Sequence, residues 1–273
     1  MRIRAGFTIA YDCPQPTPML LVLNIHPSRR VDLLTDHVLS FENPAGPVEP
    51  WDYSDGFGNA CTRITAPAGI TTISTRFDIF DHGRPDIVAE DAIQHDIKDL
   101  PDEVLVFLLG SRYCDTDRLG DFAWKTFAST QPGWHRVQAI CDFVHDRITF
   151  DYQKADSLRS AHGGFNDQVG VCRDFAHLAI TLCRCMNIPA RYCTGYLGDI
   201  GIPPVDYPMD FSAWFEVYLG GHWFTFDARH NTPRIGRILM ATGRDATDVA
   251  LSTSFGPARL ARFEVETDEV VVG

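Results

Sequence analysis

The chain has 273 residues and no long apolar run near its start. The longest one there, Met19 to Leu23, is too short to span a bilayer or form the core of a signal peptide. It also lacks basic excess: a formal net charge of -12 provides no electrostatic footprint for nucleic acid or an anionic membrane surface. The 17 prolines and 21 glycines are dispersed, which excludes low-complexity classes. None of the 8 cysteines forms a Cys-x-x-Cys pair, and Cys183 and Cys185 fall in a helical pattern that separates them by about 200° around the axis. A zinc site is therefore not expected, and reduced, mostly buried thiols in a cytoplasmic protein are.

What is present is ordinary globular sequence, 45% hydrophobic and 22% charged, in a length that suits two modest domains. Short runs rich in Val, Ile, Thr, Phe and Leu at Arg4–Tyr11, Met19–Ile25, Arg30–Phe41, Cys61–Ala66 and Thr71–Phe80, broken by Pro, Gly and Asn-Pro, predict a β-sandwich over residues 1–85. A charged stretch without period, 86–104, reads as a linker. From 105 to 273 the pattern turns helical, with helices expected over Asp115–Phe127 and Gly133–Arg147. Alternation in Thr247–Ser254 and Ala261–Thr267 predicts two late strands, so the 245–273 segment either joins the second domain or returns to the first.

The most informative segment is Gly170-Val171-Cys172-Arg173-Asp174-Phe175, where a Gly-containing loop opens an apolar-periodic helix. Helix N-termini carry unpaired N–H groups and partial positive charge, so a thiol there ionises more readily than a free one. The following helix shows an apolar face at Phe175, Leu178, Ala179, Leu182, Cys185 and Met186, with Arg173, His177, Thr181 and Arg184 opposite. Asn187-Ile188-Pro189 ends it, Asn suiting a left-handed cap.

Farther along, Phe211 to Leu219 and His222 to Ala228 are alternating runs joined by Gly220-Gly221, the signal for a two-residue hairpin. That turn pairs Leu219 with His222, Val217 with Phe224 and Phe215 with Phe226. One face is then apolar, and the other carries Ser212, Trp214, Glu216, Tyr218, Trp223, Thr225 and Asp227.

Gly-Val-Cys-Arg-Asp-Phe-Ala-His-Leu at 170–178, Asn-Ile-Pro-Ala-Arg-Tyr at 187–192, Gly195-Tyr196 and the Ala-Trp-Phe-Glu-Val-Tyr hairpin ending in Phe226-Asp227 together resemble the core of the bacterial transglutaminase-like family, over about Leu105 to Asp245. The resemblance implies an α+β, papain-like fold: a central helix begun by the cysteine and packed on an antiparallel sheet. It further implies a Cys–His–Asp thiol enzyme, protease-like or acyl-transferring, acting on amides of a peptide or protein. Cys172 and Asp227 fill two of those positions, but Ser212 stands where the family carries its histidine. No cofactor is implied. No Asp-x-Asp-x-Asp-Gly calcium loop occurs, and Asp245 and Asp248 read as a solvated helix end.

A serine cannot take a proton near neutrality, so a working enzyme needs another base. His230, three residues past Asp227, is the candidate if the strand ends near Arg229 and the chain folds back. His222 points to the apolar face, His177 suits a surface or supporting contact, and His162 lies in a loop. Alternatively the thiolate relies on the helix terminus and on Arg173 or Arg229, or the fold is an impaired module, a pseudoenzyme that binds a peptide or protein. Trp214 and Arg173 are the expected substrate contacts. An oxyanion would meet the backbone N–H of Cys172, with Gln168 as a second donor.

Overall fold

The computed structural model describes residues 1–203, 205 and 208–271, so part of the Gly198–Pro208 loop and the last two residues lie outside the described residues. Six strands come first: β1 (Arg2–Cys13), β2 (Thr17–Leu21), β3 (Ser40–Glu42), β4 (Trp51–Ser54), β5 (Ala60–Ala66) and β6 (Gly69–Phe80). Along β1 the buried Ile3, Ala5, Phe7 and Ile9 alternate, as a strand with one face on a core must. The Arg30–Phe41 run is not the expected strand. His26 accepts the Ser28 N–H at the start of a 3₁₀ turn over Pro27–Asp32, Leu33 makes a single bridge to Ile79, and Ser40–Glu42 pairs as a short strand.

A mixed region follows: α1 (Asp102–Leu105), α2 (Thr116–Phe127), α3 (Trp134–Arg147), β7 (Thr149–Phe150), α4 (Ala161–Asp167), β8 (Val169–Gly170), α5 (Cys172–Cys185) and β9 (Ala190–Tyr196). Then come β10 (Ser212–Leu219), β11 (His222–Phe226), β12 (Ile238–Gly243), β13 (Ser252–Ser254) and β14 (Arg259–Glu269). Helix α2 buries Leu119, Ala123 and Phe127 at four-residue intervals. Gly133 precedes α3 with φ +91°, and a Cβ there would come within 2.3 Å of the Ala92 carbonyl oxygen. That carbonyl accepts the Trp134 N–H at 3.0 Å, so the charged 86–104 stretch is fastened to the helices. Asn187 takes φ +60° after α5, the left-handed cap its sequence predicts.

Two sheets, ordered β14-β1-β6-β3 and β13-β2-β5-β4, face each other as the sandwich; a third, β11-β10-β9-β12, is antiparallel and lies against α5. The C-terminal strand β14 pairs with β1 from Ile3–Glu269 to Asp12–Arg259, and β13 pairs with β2. One apolar cluster joins α5, α2 and α3 to Ala213, Phe215, Val217 and Leu219 of β10. A second fills the sandwich and continues onto Tyr196, Ile238 and Met240 of the third sheet. This is the α+β arrangement with a central helix on an antiparallel sheet. Among the described residues no helix is long and apolar enough to cross a membrane.

Helix α5 is buried on all sides, which corrects the expectation of a polar outer face: His177, Thr181 and Arg184 are at most 3% exposed. The polar groups of Thr181 and Arg184 are engaged locally. Thr181 donates to the His177 carbonyl at 2.7 Å, and Arg184 donates to the carbonyls of Leu109, Ala190 and Arg244. Asp245, expected in a solvated helix end, is 1% exposed in a turn where it accepts the N–H groups of Tyr113 and Thr247.

Candidate active site

The nucleophile candidate is the first residue of α5. Gly170 leads into it under the Asp174 side chain, where a Cβ would come within 2.5 Å of Oδ2. That Oδ2 accepts the Val171 N–H at 2.8 Å and the Arg159 guanidinium at 3.2 Å, which holds the turn carrying Cys172. The thiol does not behave as its helix position predicts. Burial pushes it up to about 11; the Arg229 guanidinium and the Ala213 backbone N–H pull it down, while Asp210 and Asp227 add to the rise. Burial therefore opposes the helix end and favours the protonated thiol.

The Ala213 backbone N–H that acts on the sulfur belongs to β10, directly after Ser212. Ser212 pairs with Gly195 of β9, is 7% exposed, and its Oγ has no hydrogen-bond partner. The hairpin register is Phe215–Phe226, Val217–Phe224 and Leu219–His222, turned by Gly220 and Gly221 at φ +56° and +85°.

The strand ends at Phe226, earlier than the sequence suggests, because Asp227 captures the backbone that follows. Its Oδ1 accepts the N–H groups of Arg229 (3.0 Å) and His230 (3.1 Å), and the chain folds back on itself. His145 of α3 steadies this turn by donating from Nδ1 to the carbonyls of Ala228 and Arg229 at 3.1 and 3.0 Å. The Asp227 Oδ2 then accepts His230 Nδ1 at 2.8 Å and Arg237 Nη2 at 2.9 Å. Burial alone would raise the Asp227 carboxyl, but Arg237 and His230 hold it well below the usual carboxylate range. Ionised Asp227 can only accept in this contact, so His230 Nδ1 donates to it.

His230, Ser212, Arg229, Arg234, Asp210 and Tyr152 line one cavity of about 190 Å³. Arg229 lies 3.8 Å over the Phe150 ring and is the cation nearest in effect to the Cys172 sulfur. An adjoining recess of about 600 Å³ is walled by Phe150, Tyr152, Met209 and Phe263 with Asp210 at its edge.

The two expected substrate contacts lie elsewhere. Trp214, on the face of β10 it shares with Ser212, is 2% exposed beneath the Arg237 guanidinium at 5.0 Å and lines a separate cavity. Arg173 is committed to the Asp156 carbonyl, to Asp174 at 3.6 Å and to the Tyr113 ring at 5.4 Å. Gln168 turns toward Arg147, its oxygen accepting from Nη1 and Nη2 at 3.0 and 3.1 Å. His177 is sealed in the interior, His222 is exposed beside the hairpin turn, and His162 sits on α4 near Asn166.

Sequence reasoning missed Asp86, Arg237, Arg234 and Asp210. Arg237 bridges Asp227 to Asp86, donating from Nε to Asp86 Oδ2 at 2.9 Å, across 151 positions of chain. No spacing or periodicity announces such a pair. Among the described residues, no group of three or more His, Cys, Asp or Glu side chains converges to hold a metal ion, and all eight cysteines are free.

Against known proteins, residues 121–228 match the sequence profile of the transglutaminase-like superfamily. A candidate cysteine protease of Cytophaga hutchinsonii superposes with a TM-score of 0.82 at 30% identity, covering 100% of this chain and 92% of that one. An uncharacterized Mycobacterium leprae protein, ML0607, is 38% identical over 84 residues, a match spanning 30% of its length. The periplasmic domain of TgpA from Pseudomonas aeruginosa aligns over 83% of this chain and 90% of its own, at 15% identity and a TM-score of 0.40.

Proposed function

From the premise that this chain belongs to the transglutaminase-like superfamily, a family of thiol enzymes, we propose that it cleaves or transfers an amide of a peptide or protein through Cys172, with His230 as base and Asp227 as its orienting carboxylate. The observation that carries this reading is the 2.8 Å bond from His230 Nδ1 to Asp227 in a cavity shared with Ser212, next to the residue whose amide meets the Cys172 sulfur. The base expected at position 212 is thereby supplied from the turn after β11.

In this reaction His230 Nε2 takes the Cys172 proton and the sulfur bonds to the substrate carbonyl carbon. The negative oxygen that forms is met by backbone N–H at the start of α5, the positive end of that helix. His230 returns the proton to the departing amine as the C–N bond breaks. Water or a second amine then attacks the thioester, giving hydrolysis or transfer. The apolar recess beside the cavity suits a peptide chain in extended form. The burial that raises the Cys172 thiol to about 11 favours the other reading, a non-catalytic peptide-binding module, because it leaves little thiolate at rest.

p-Nitrophenyl acetate separates the two. The enzyme reading expects a burst of one equivalent of nitrophenol and an acetyl group on Cys172 by peptide mass spectrometry, absent in Cys172→Ala. Acylation scattered over other cysteines, with Cys172 untouched, refutes it.

A further inference from the structure

The 190 Å³ cavity, whose lining residues Arg229 and Asp210 act on the Cys172 thiol, contains two polar side chains with unmet bonding capacity. Arg234 is 4% exposed; its Nη2 donates to the Gly198 carbonyl at 2.9 Å, and its Nε has no partner. Among the described residues no carboxylate lies within ion-pair reach of it. Asp227 and Asp199 act on it only at longer range and are countered by Arg237 and Arg229. Arg237, three residues on and as deeply placed, has two carboxylates in direct contact. A guanidinium buried without a counter-ion is costly, as is a buried hydroxyl without a partner, and Ser212 Oγ is such a hydroxyl on the same wall.

We infer that this cavity is a subsite for a carboxylate of the substrate, received by Arg234 and the Ser212 hydroxyl with Arg229 at its mouth. Two carboxylates also line the cavity. Asp199 is engaged by the Val205 N–H at 2.9 Å, and Asp210 stands in the field of Arg229. Among the described residues Arg234 is a buried lining guanidinium with no paired carboxylate, and the two aspartates confine an incoming carboxylate to its side. The cavity is small, so the carboxylate is carried within a few bonds of the scissile amide. This rests on Cys172 being the reacting atom. It also accounts for a serine at position 212: an imidazole there would crowd the place the carboxylate takes, whereas a hydroxyl donates to it.

Haloacids test this without a known substrate. Iodoacetate and bromopropionate, each against its neutral amide, are reacted with the whole protein near pH 8 and Cys172 is quantified by peptide mass spectrometry. The subsite predicts that an acid modifies Cys172 about tenfold faster than its amide, as charge-assisted binding beside the thiol allows, and with a rate that saturates. On a protein of net charge -12, an unassisted thiol shows the opposite order. Arg234→Met abolishes the preference while keeping the amide rate, and Ser212→Ala, a smaller change that retains the fold, reduces it several-fold. Protection of Cys172 by a tripeptide with a free C-terminus, but not by its amide, assigns the C-terminal carboxylate. Protection by an amidated peptide containing glutamate assigns a side-chain carboxylate. Cys172 labelled by the amides as fast as by the acids, with no protection by either peptide, overturns the subsite and leaves the nucleophile intact. Cys172 inert to all four reagents overturns both.

Discussion

Two imidazoles in this molecule sit beside buried aspartates, His230 with Asp227 and His177 with Asp245, and the two pairs are built differently. His177 is fully enclosed, stacked on Tyr113 at 4.9 Å and 10° and tilted against Tyr192 at 5.1 Å. Its Nε2 accepts the Ala246 N–H at 3.1 Å, which requires a neutral ring, and Asp245 spends its oxygens on backbone N–H groups. Burial pulls His177 below its ordinary value despite the nearby carboxylate. His230 instead bonds its aspartate directly and keeps 22% of its side chain exposed toward a cavity. An aspartate close to a histidine is therefore not enough. One ring nitrogen must be held by the carboxylate while the other stays open to the reacting groups.

Replacing each histidine should separate the two sites. His230→Gln is expected to slow acylation of Cys172 by p-nitrophenyl acetate by about 10²- to 10⁴-fold, the usual share of a general base, with little change in melting temperature. Equal rates in the variant and the parent would move the base elsewhere. Arg237→Met, which leaves Asp227 and Asp86 without their shared cation, should cost about 3–5 kcal/mol in urea unfolding, because it strips the partner from a buried charge. His177→Gln should cost about 1–3 kcal/mol, the penalty for disturbing a buried polar group, yet acylate at the parental rate per folded molecule. A large kinetic defect there would erase the distinction between the two sites.

The smallest effect concerns pH. Because folding lowers the His177 value, the unfolded chain binds the extra proton once the pH drops below about 6.5, and stability falls with it. Asp227 and Asp245, held below their ordinary values, extend that loss below about pH 4, where the unfolded carboxylates protonate. Melting temperatures between pH 7.5 and 4.5 should therefore decline in the parent and decline less steeply in His177→Gln, where the half-buried His26 and His37, also held below their ordinary values, keep part of the slope. Cys172 titrates at the other extreme: its alkylation by iodoacetamide should keep rising through pH 9 toward about 11, and a plateau near neutrality would indicate an activated thiolate instead.

Much of the local structure was legible because it depends on near neighbours. The Gly-Gly turn set the β10–β11 register, the Asn-Ile-Pro segment ended α5, and the loop-to-helix switch placed Cys172 at a helix start. The 3₁₀ turn at Pro27–Asp32 escaped notice because its cap comes from the His26 ring, a residue type that composition reads as neutral. Where Trp214 and Arg173 come to lie depends on the Arg237 guanidinium and the Asp156 carbonyl, partners brought from other segments.

The chain alone determined the family pattern, the position of Cys172 on its helix, the presence of Asp227, and the substitution of Ser212 for the usual base. Tertiary structure alone decided that burial works against ionisation of the thiol, that Asp227 is claimed by both His230 and Arg237, and that Arg234 Nε and Ser212 Oγ, both unpaired among the described residues, belong to the walls of one cavity. The physical reason is range: helix starts, caps and turns are set by residues a few positions apart, whereas desolvation and ion pairing depend on what distant segments bring to the same few ångströms.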